Sequence, residues 1–124
     1  MSFYQVSEEV EFSSSHQVRF GKEGCEALHG HNYRVRVTVR AAALDAIGYV
    51  VDFAVLRRAI AAAVDPLDHR HLNDTPPFTE LNPTAENIAH HLYAQIAPRI
   101  DDGRAHVALV EVFETDRSRA EYSP

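Results

Sequence analysis

The chain has 124 residues, enough for one domain with a hydrophobic core and too few for two, so we expect residues 1–124 to form a single domain. Hydrophobic residues make up 45% of the chain and charged residues 24%, a balance that argues against disorder. The net charge of −6, without a basic block, argues against nucleic acid as a partner. No apolar run approaches the ~20 residues of a membrane span, so no membrane association is expected. A single cysteine excludes an internal disulfide and fits a cytoplasmic protein.

The first half of the chain is dominated by alternating hydrophobic and polar residues. In Tyr4–His16 the large apolar side chains mostly occupy every second position, which predicts a strand with one buried face. Asn32–Ala42 alternates Tyr and Val with Arg and Thr, which is typical of an antiparallel strand with one solvated face. Between them, Arg19–Gly30 holds three of the five glycines and is predicted to be a loop.

After the second predicted strand, the spacing of the hydrophobic residues changes to one that is typical of helices. Asp52 is a candidate N-cap for a helix that Pro66 stops, and the polar stretch Asp65–Pro83 is predicted to be a long connection. Thr84 is the next candidate N-cap, and we expect the helix that it begins to end at Pro98.

Two further strands complete the predicted fold. His106–Glu114 is rich in Val and Leu, and Arg119–Tyr122 follows it after a turn. The order of the predicted elements along the chain is two strands, two helices and two strands. This order predicts an α+β domain with a four-stranded antiparallel sheet and two helices inserted between strands 2 and 3.

Three of the eight histidines are spaced as metal ligands would be. His29 and His31 lie two residues apart and therefore point to the same side of an extended segment, and His16 ends the first strand nearby. Three neutral imidazoles would leave Zn²⁺ with an open fourth position, as in catalytic sites. Gly30 is expected to remove a side chain that would crowd the metal. The alternative is a pair of surface histidines without a metal, and the spacing alone leaves both open.

Four other residues have a chemical and an ordinary interpretation. Cys25, four residues before His29, is either a small buried hydrophobe or a thiolate base beside a cation. Asp68 and His69 are either a solvated loop pair or a carboxylate that orients an imidazole base. Glu114 is either a surface acid or an acceptor of two parallel N–H bonds from a guanidine-like edge.

Together these residues resemble the 6-pyruvoyltetrahydropterin synthase/6-carboxytetrahydropterin synthase family. The similarity runs from the first strand almost to the end of the chain. It is carried by His16, Cys25-Glu26-Ala27-Leu28-His29-Gly30-His31-Asn32-Tyr33, Val51-Asp52-Phe53, Leu67-Asp68-His69 with Leu72-Asn73, Asn82-Pro83-Thr84-Ala85-Glu86-Asn87 and Val112-Phe113-Glu114-Thr115. Their order and spacing are jointly specific to this family, although no single motif is.

The resemblance implies a set of site residues. Zinc would be bound by His16, His29 and His31, and Cys25 would be the base that abstracts a proton. The pair Asp68-His69 would relay protons.

Two more residues would meet the substrate. Glu114 would anchor the 2-amino/N3 edge of a pterin, and Thr84 would touch the pterin as well. Arg19, Lys22 and Arg34 are candidates for contacting its triphosphate.

The resemblance also implies a fold, an assembly and a reaction. The fold is the tunnelling fold, in which three sheets form a twelve-stranded barrel and two trimers stack into a homohexamer. The active site then lies between subunits. Three residues separate Cys25 from His29, a spacing similar to that of the bacterial 6-carboxy-5,6,7,8-tetrahydropterin synthases of queuosine (7-deazapurine) biosynthesis. The substrate implied is 7,8-dihydroneopterin triphosphate. The alternatives are a 6-pyruvoyltetrahydropterin synthase of the same fold and a non-catalytic member that binds zinc and pterin.

Overall fold

The computed structural model describes all of residues 1–124 and contains one sheet and two α-helices. The strands are β1 (Tyr4–His16), β2 (His29–Ala41), β3 (Arg70–His71), β4 (Ala105–Phe113) and β5 (Arg119–Tyr122). The helices are α1 (Phe53–Val64) and α2 (Ala85–Ile100), which lie between β2 and β4 in the chain. No helix has the length and apolar character needed to cross a membrane.

The predicted four-stranded antiparallel sheet is wrong in one respect, because the sheet has five strands and is mixed. Its spatial order is β3-β1-β2-β4-β5. The additional strand is β3, within the connection predicted over Asp65–Pro83, and it pairs in parallel with Ser14 and Ser15 of β1. A two-residue strand has no periodicity of its own, so only the tertiary pairing reveals it. The other strands pair antiparallel as predicted.

The long hairpin of β1 and β2 is the centre of the fold. Its register is continuous from Tyr4 opposite Ala41 to His16 opposite His29. The second strand therefore begins at His29, three residues earlier than the hydrophobic alternation predicts. Both motif histidines of this segment consequently lie in regular sheet rather than in the preceding loop.

The helices cover one face of the sheet, where a single core of 26 buried residues lies. Both begin at the predicted caps: Asp52 accepts the Ala54 N–H at 2.7 Å and Thr84 accepts the Asn87 N–H at 3.2 Å. The predicted end of the second helix at Pro98 is wrong, because α2 continues to Ile100. A proline in the last turn removes one N–H donor without preventing the remaining turn, and the buried Ile100 holds that turn against the core.

Candidate metal and pterin site

The register of the central hairpin brings the three predicted histidines together. His16 faces His29 directly, and His31 lies opposite Ser14, one position further along the same face. One ring nitrogen of each histidine lies within 4.8 Å of the others, so the three could hold a metal ion. His16 is 1% exposed, whereas the His29 side chain is 39% exposed, which leaves the cluster open on one side.

Backbone carbonyls fix which ring nitrogens face the cluster. The Nδ1–H groups of His16 and His29 donate to the carbonyl oxygens of Pro83 and Ala27, both at 2.8 Å. In the neutral rings the Nε2 atoms therefore carry lone pairs, and these two atoms are 3.1 Å apart. This arrangement is the usual outer-sphere support of a metal-binding histidine.

His31 supplies the third nitrogen, and its environment fits a metal ligand. Its Nε2 atom is buried without a hydrogen-bond partner. A Glu114 oxygen lies 3.2 Å away but is not aligned for a hydrogen bond. Burial lowers the pKa of His31, an effect that the Glu114 carboxylate partly opposes. A neutral imidazole with an unused, buried lone pair is a donor that suits Zn²⁺.

Gly30 has a different role from the one that the sequence indicates. A Cβ atom at this position would lie 3.1 Å from the Ser14 carbonyl oxygen of the neighbouring strand. The glycine therefore allows β1 and β2 to approach closely, and it does not clear space for a metal.

The pair Asp68 and His69 is in contact within the chain. Asp68 Oδ1 accepts the Ser13 N–H at 2.9 Å and lies 2.9 Å from His69 Nδ1. The Ser13 N–H, followed by His69, holds the pKa of Asp68 below its usual range. His69 has a left-handed backbone with φ of 57°, and its own N–H donates to the Ser13 carbonyl oxygen at 2.7 Å. The carboxylate is thus fixed, while 83% of the His69 side chain is exposed.

His69 borders an open groove at the β1–β3 edge of the sheet. The groove has a volume of about 520 Å³, and none of its lining residues is hydrophobic. His31 lines it as well, so the groove adjoins the histidine cluster. His71, which the sequence gives no particular role, also lies here, with its Nδ1 2.9 Å from Ser15 Oγ.

The structure places the remaining predicted site residues, Cys25, Glu114 and Thr84, in three different environments. Cys25 is exposed, and its thiol makes no hydrogen bond within the chain. Glu114 follows β4 and borders a cleft of about 200 Å³ together with Glu86 at the start of α2. Thr84 Oγ1 accepts the α2 capping bond, so its observed contact is structural.

The candidate triphosphate arginines are already engaged. Arg19 donates to the carbonyl oxygens of Phe78 and Leu81, at 2.8 and 3.3 Å. The Arg34 guanidinium stacks over the Phe113 ring at 4.1 Å. Neither guanidinium is directed into the groove that His69 borders.

Glu26 is a further residue of this site, and the sequence patterns described above do not single it out. Its Oε1 atom lies 3.7 Å from the Nε2 atoms of both His16 and His29. Its position between Cys25 and the histidine motif was the available signal.

Comparisons with known proteins agree with this fold. The family model described as 6-pyruvoyl tetrahydropterin synthase matches residues 5–124, and the chain belongs to this family. Among solved structures, the Caenorhabditis elegans 6-pyruvoyl tetrahydropterin synthase superposes with a TM-score of 0.83 at 25% identity, covering 100% of this chain and 97% of the other.

Relatives with two different names are similar to the chain. A 6-carboxy-5,6,7,8-tetrahydropterin synthase of Rickettsia bellii is 31% identical, over 86% of this chain and 90% of its own length. One from Synechocystis is 34% identical, over 94% and 91%. The human 6-pyruvoyl tetrahydrobiopterin synthase is 33% identical, over 95% and 90%. The family resemblance seen in the sequence is thereby confirmed.

Proposed function

We propose that the protein is a zinc-dependent 6-carboxy-5,6,7,8-tetrahydropterin synthase, a carbon–carbon lyase of queuosine biosynthesis. It would convert 7,8-dihydroneopterin triphosphate and water to 6-carboxytetrahydropterin, acetaldehyde and triphosphate. The observation that carries the proposal is the cluster of His16, His29 and His31, in which one ring nitrogen of each histidine lies within 4.8 Å of the others. Family membership and the bacterial relatives support the substrate class.

The histidines would hold Zn²⁺ through their Nε2 atoms. When bound, zinc supplies a Lewis acid that acidifies bonds next to the substrate hydroxyls that it contacts. His16 and His29 keep the required tautomer through their carbonyl partners.

Proton transfer is assigned to two other groups. Cys25, exposed beside the cluster in sequence, would remove a proton from the substrate. Asp68 would hold the Nδ1–H of His69, so that the exposed Nε2 of His69 is free to take up and return a proton. Glu114, at the end of β4, would accept N–H bonds from the pterin edge, with Thr84 touching the ring.

The site would be completed by assembly into a homohexamer of two trimers. Both sheet edges, β3 and β5, are free of a neighbouring strand in the chain. Open edges are normally covered, and edge pairing between copies would do so. His69, beside β3, would then act in the site of the adjacent subunit.

The second candidate is a 6-pyruvoyltetrahydropterin synthase, which the 33% identity to the human relative favours. Overall identity does not separate the two, since both names occur at similar values. The three-residue spacer between Cys25 and His29 favours the carboxy-forming reaction. A non-catalytic pterin-binding member would have no use for Cys25 or for the fixed pair Asp68-His69.

Turnover of 7,8-dihydroneopterin triphosphate by metal-stripped and zinc-reloaded protein tests the proposal. We expect activity only after reloading, and we expect Cys25→Ala and His69→Ala to retain zinc while losing activity. Equal activity of the stripped and reloaded protein would refute the metal requirement. Absence of turnover in fully loaded protein would refute the enzyme assignment.

A further inference from the structure

The backbone holds the Glu26 carboxylate beside the histidine cluster. Its N–H donates to the Val18 carbonyl oxygen, and its Oε1 atom accepts the Val18 N–H, both at 2.9 Å. Gln17 Nε2 also donates to the Glu26 carbonyl oxygen at 3.3 Å. These bonds tie Glu26 to the segment that directly follows His16. The carboxylate position therefore depends on the same strand end as the first histidine.

Three hydrogen-bond acceptors, the Nε2 atoms of His16 and His29 and the Oε1 atom of Glu26, lie close together with no hydrogen atom between them. The Nδ1–H groups of His16 and His29 are used by carbonyl oxygens, so their Nε2 atoms, when neutral, are acceptors. The Glu26 oxygen is an acceptor as well, and it lies 3.7 Å from each of them. Such a group of lone pairs is repulsive by itself and is stabilised by a cation.

The separations among the Nε2 atoms of His16 and His29 and the Glu26 oxygen are close to those between ligand atoms of one metal ion. The cluster whose ligand atoms all lie within 4.8 Å of one another contains the three histidines but not Glu26, so the carboxylate would move toward His31 on binding the metal. In a tetrahedral zinc site with bonds of about 2.0–2.2 Å, neighbouring ligand atoms are ~3.4 Å apart. The three separations here are 3.1, 3.7 and 3.7 Å. A metal ion slightly out of the plane of this triangle lies ~2.0–2.2 Å from all three atoms, which is the length of zinc–ligand bonds. Glu114, by contrast, is close to His31 alone among the three histidines.

We propose that Glu26 is a fourth, displaceable ligand of the metal that the three histidines bind. The inference rests on the proposed function, because it requires a metal in that cluster. Glu26 fills the fourth position at rest, and an incoming ligand replaces it. The Val18 N–H retains the displaced carboxylate nearby, and the 28% exposure of the side chain lets a ligand reach it.

Metal affinity provides the first test, measured by competition between the protein and a zinc chelator without any substrate. We expect Glu26→Gln to bind Zn²⁺ about 10–100-fold more weakly than the parent. The matched control is Glu23→Gln, which removes the same charge from the same loop. Glu23 is exposed and its side chain makes no hydrogen bond or ion pair, so this variant should retain the parent affinity.

The second test asks whether an added ligand can displace Glu26 from the metal. Azide is added to the Co²⁺-substituted protein, and the visible absorption of the metal is recorded. In the parent, azide must compete with Glu26, so we expect Glu26→Gln to bind azide at least about tenfold more tightly. Glu23→Gln should titrate as the parent does. If Glu26→Gln does not fold, Glu26→Asp keeps the charge but shortens the reach, and we expect its zinc affinity to fall as well.

The outcomes separate the two proposals. Parent protein that binds zinc tightly, together with a Glu26 variant of equal zinc and azide affinity, would overturn this inference and leave the proposed function intact. Parent protein that binds no zinc would overturn both.

Discussion

Replacing His31 by alanine should remove most of the metal affinity of the chain. Structural zinc sites with four ligands have apparent binding free energies of about 10–16 kcal/mol, which corresponds to ~2.5–4 kcal/mol for each ligand. Losing one histidine should therefore weaken zinc binding about 10²–10³-fold. His16 and His29 remain, with their Nε2 atoms 3.1 Å apart, so weak binding should persist.

The metal-free fold should tolerate this change. The Nε2 atom of His31 has no hydrogen-bond partner, so alanine leaves no donor or acceptor of the chain newly unpaired through it. Unfolding by urea should show a change of roughly 1 kcal/mol or less in the metal-free protein. His31→Ala should therefore strongly reduce zinc affinity while changing the stability of the metal-free protein little.

Chelator competition and metal analysis of purified protein measure the effect. His106→Ala is the matched control, because His106 is exposed on β4 and lies outside the cluster. It should bind zinc as the parent does. Parent-like affinity in His31→Ala would refute the three-histidine site.

Three further predictions concern binding, assembly and pH. Glu114→Gln should weaken pterin binding by roughly 2–4 kcal/mol in a titration, whereas Cys25→Ala should spare binding and cut turnover about a hundredfold or more. Mixing inactive Cys25→Ala and His69→Ala should restore some activity; no recovery despite proven subunit exchange would contradict a shared site. Burial lowers the pKa of His91 below 6.5, so the unfolded chain takes up the proton first and stability is lost as pH falls below that value. Metal-free His91→Gln should therefore lose less stability than the parent between about pH 7.5 and 5.5 in urea unfolding; an equal loss would contradict this assignment.

Local sequence signals predict most of the fold. The alternation in Tyr4–His16 reproduces β1 as the structure has it, and both helices begin directly after the predicted caps. These features are set by neighbouring residues, through side-chain parity and capping hydrogen bonds. The one strand that was missed, β3, exists only because Ser14 and Ser15 pair with it across more than fifty residues of chain.

In the site too, the features that neighbouring residues determine can be predicted from the sequence, whereas those that depend on distant residues cannot. The spacing of His29 and His31 predicts a shared face, because side chains two residues apart in a strand point to the same side. The sequence also predicts His16 at the end of the first strand nearby, and the hairpin register places it opposite His29. The sequence leaves open whether Asp68 and His69 are in contact, because the geometry of this pair depends on the distant Ser13 N–H. The position of Glu26 beside the motif indicates that it lies near the site, but the sequence does not show the Val18 hydrogen bonds that bring its carboxylate to the histidines.

Identification of the products distinguishes the proposed reaction from its alternatives. Zinc-loaded protein is incubated with 7,8-dihydroneopterin triphosphate, and the pterin and the volatile product are both identified by mass. We expect 6-carboxytetrahydropterin together with acetaldehyde in equal amounts. A 6-pyruvoyltetrahydropterin product without acetaldehyde would contradict it and establish the second candidate, and unchanged substrate would contradict both.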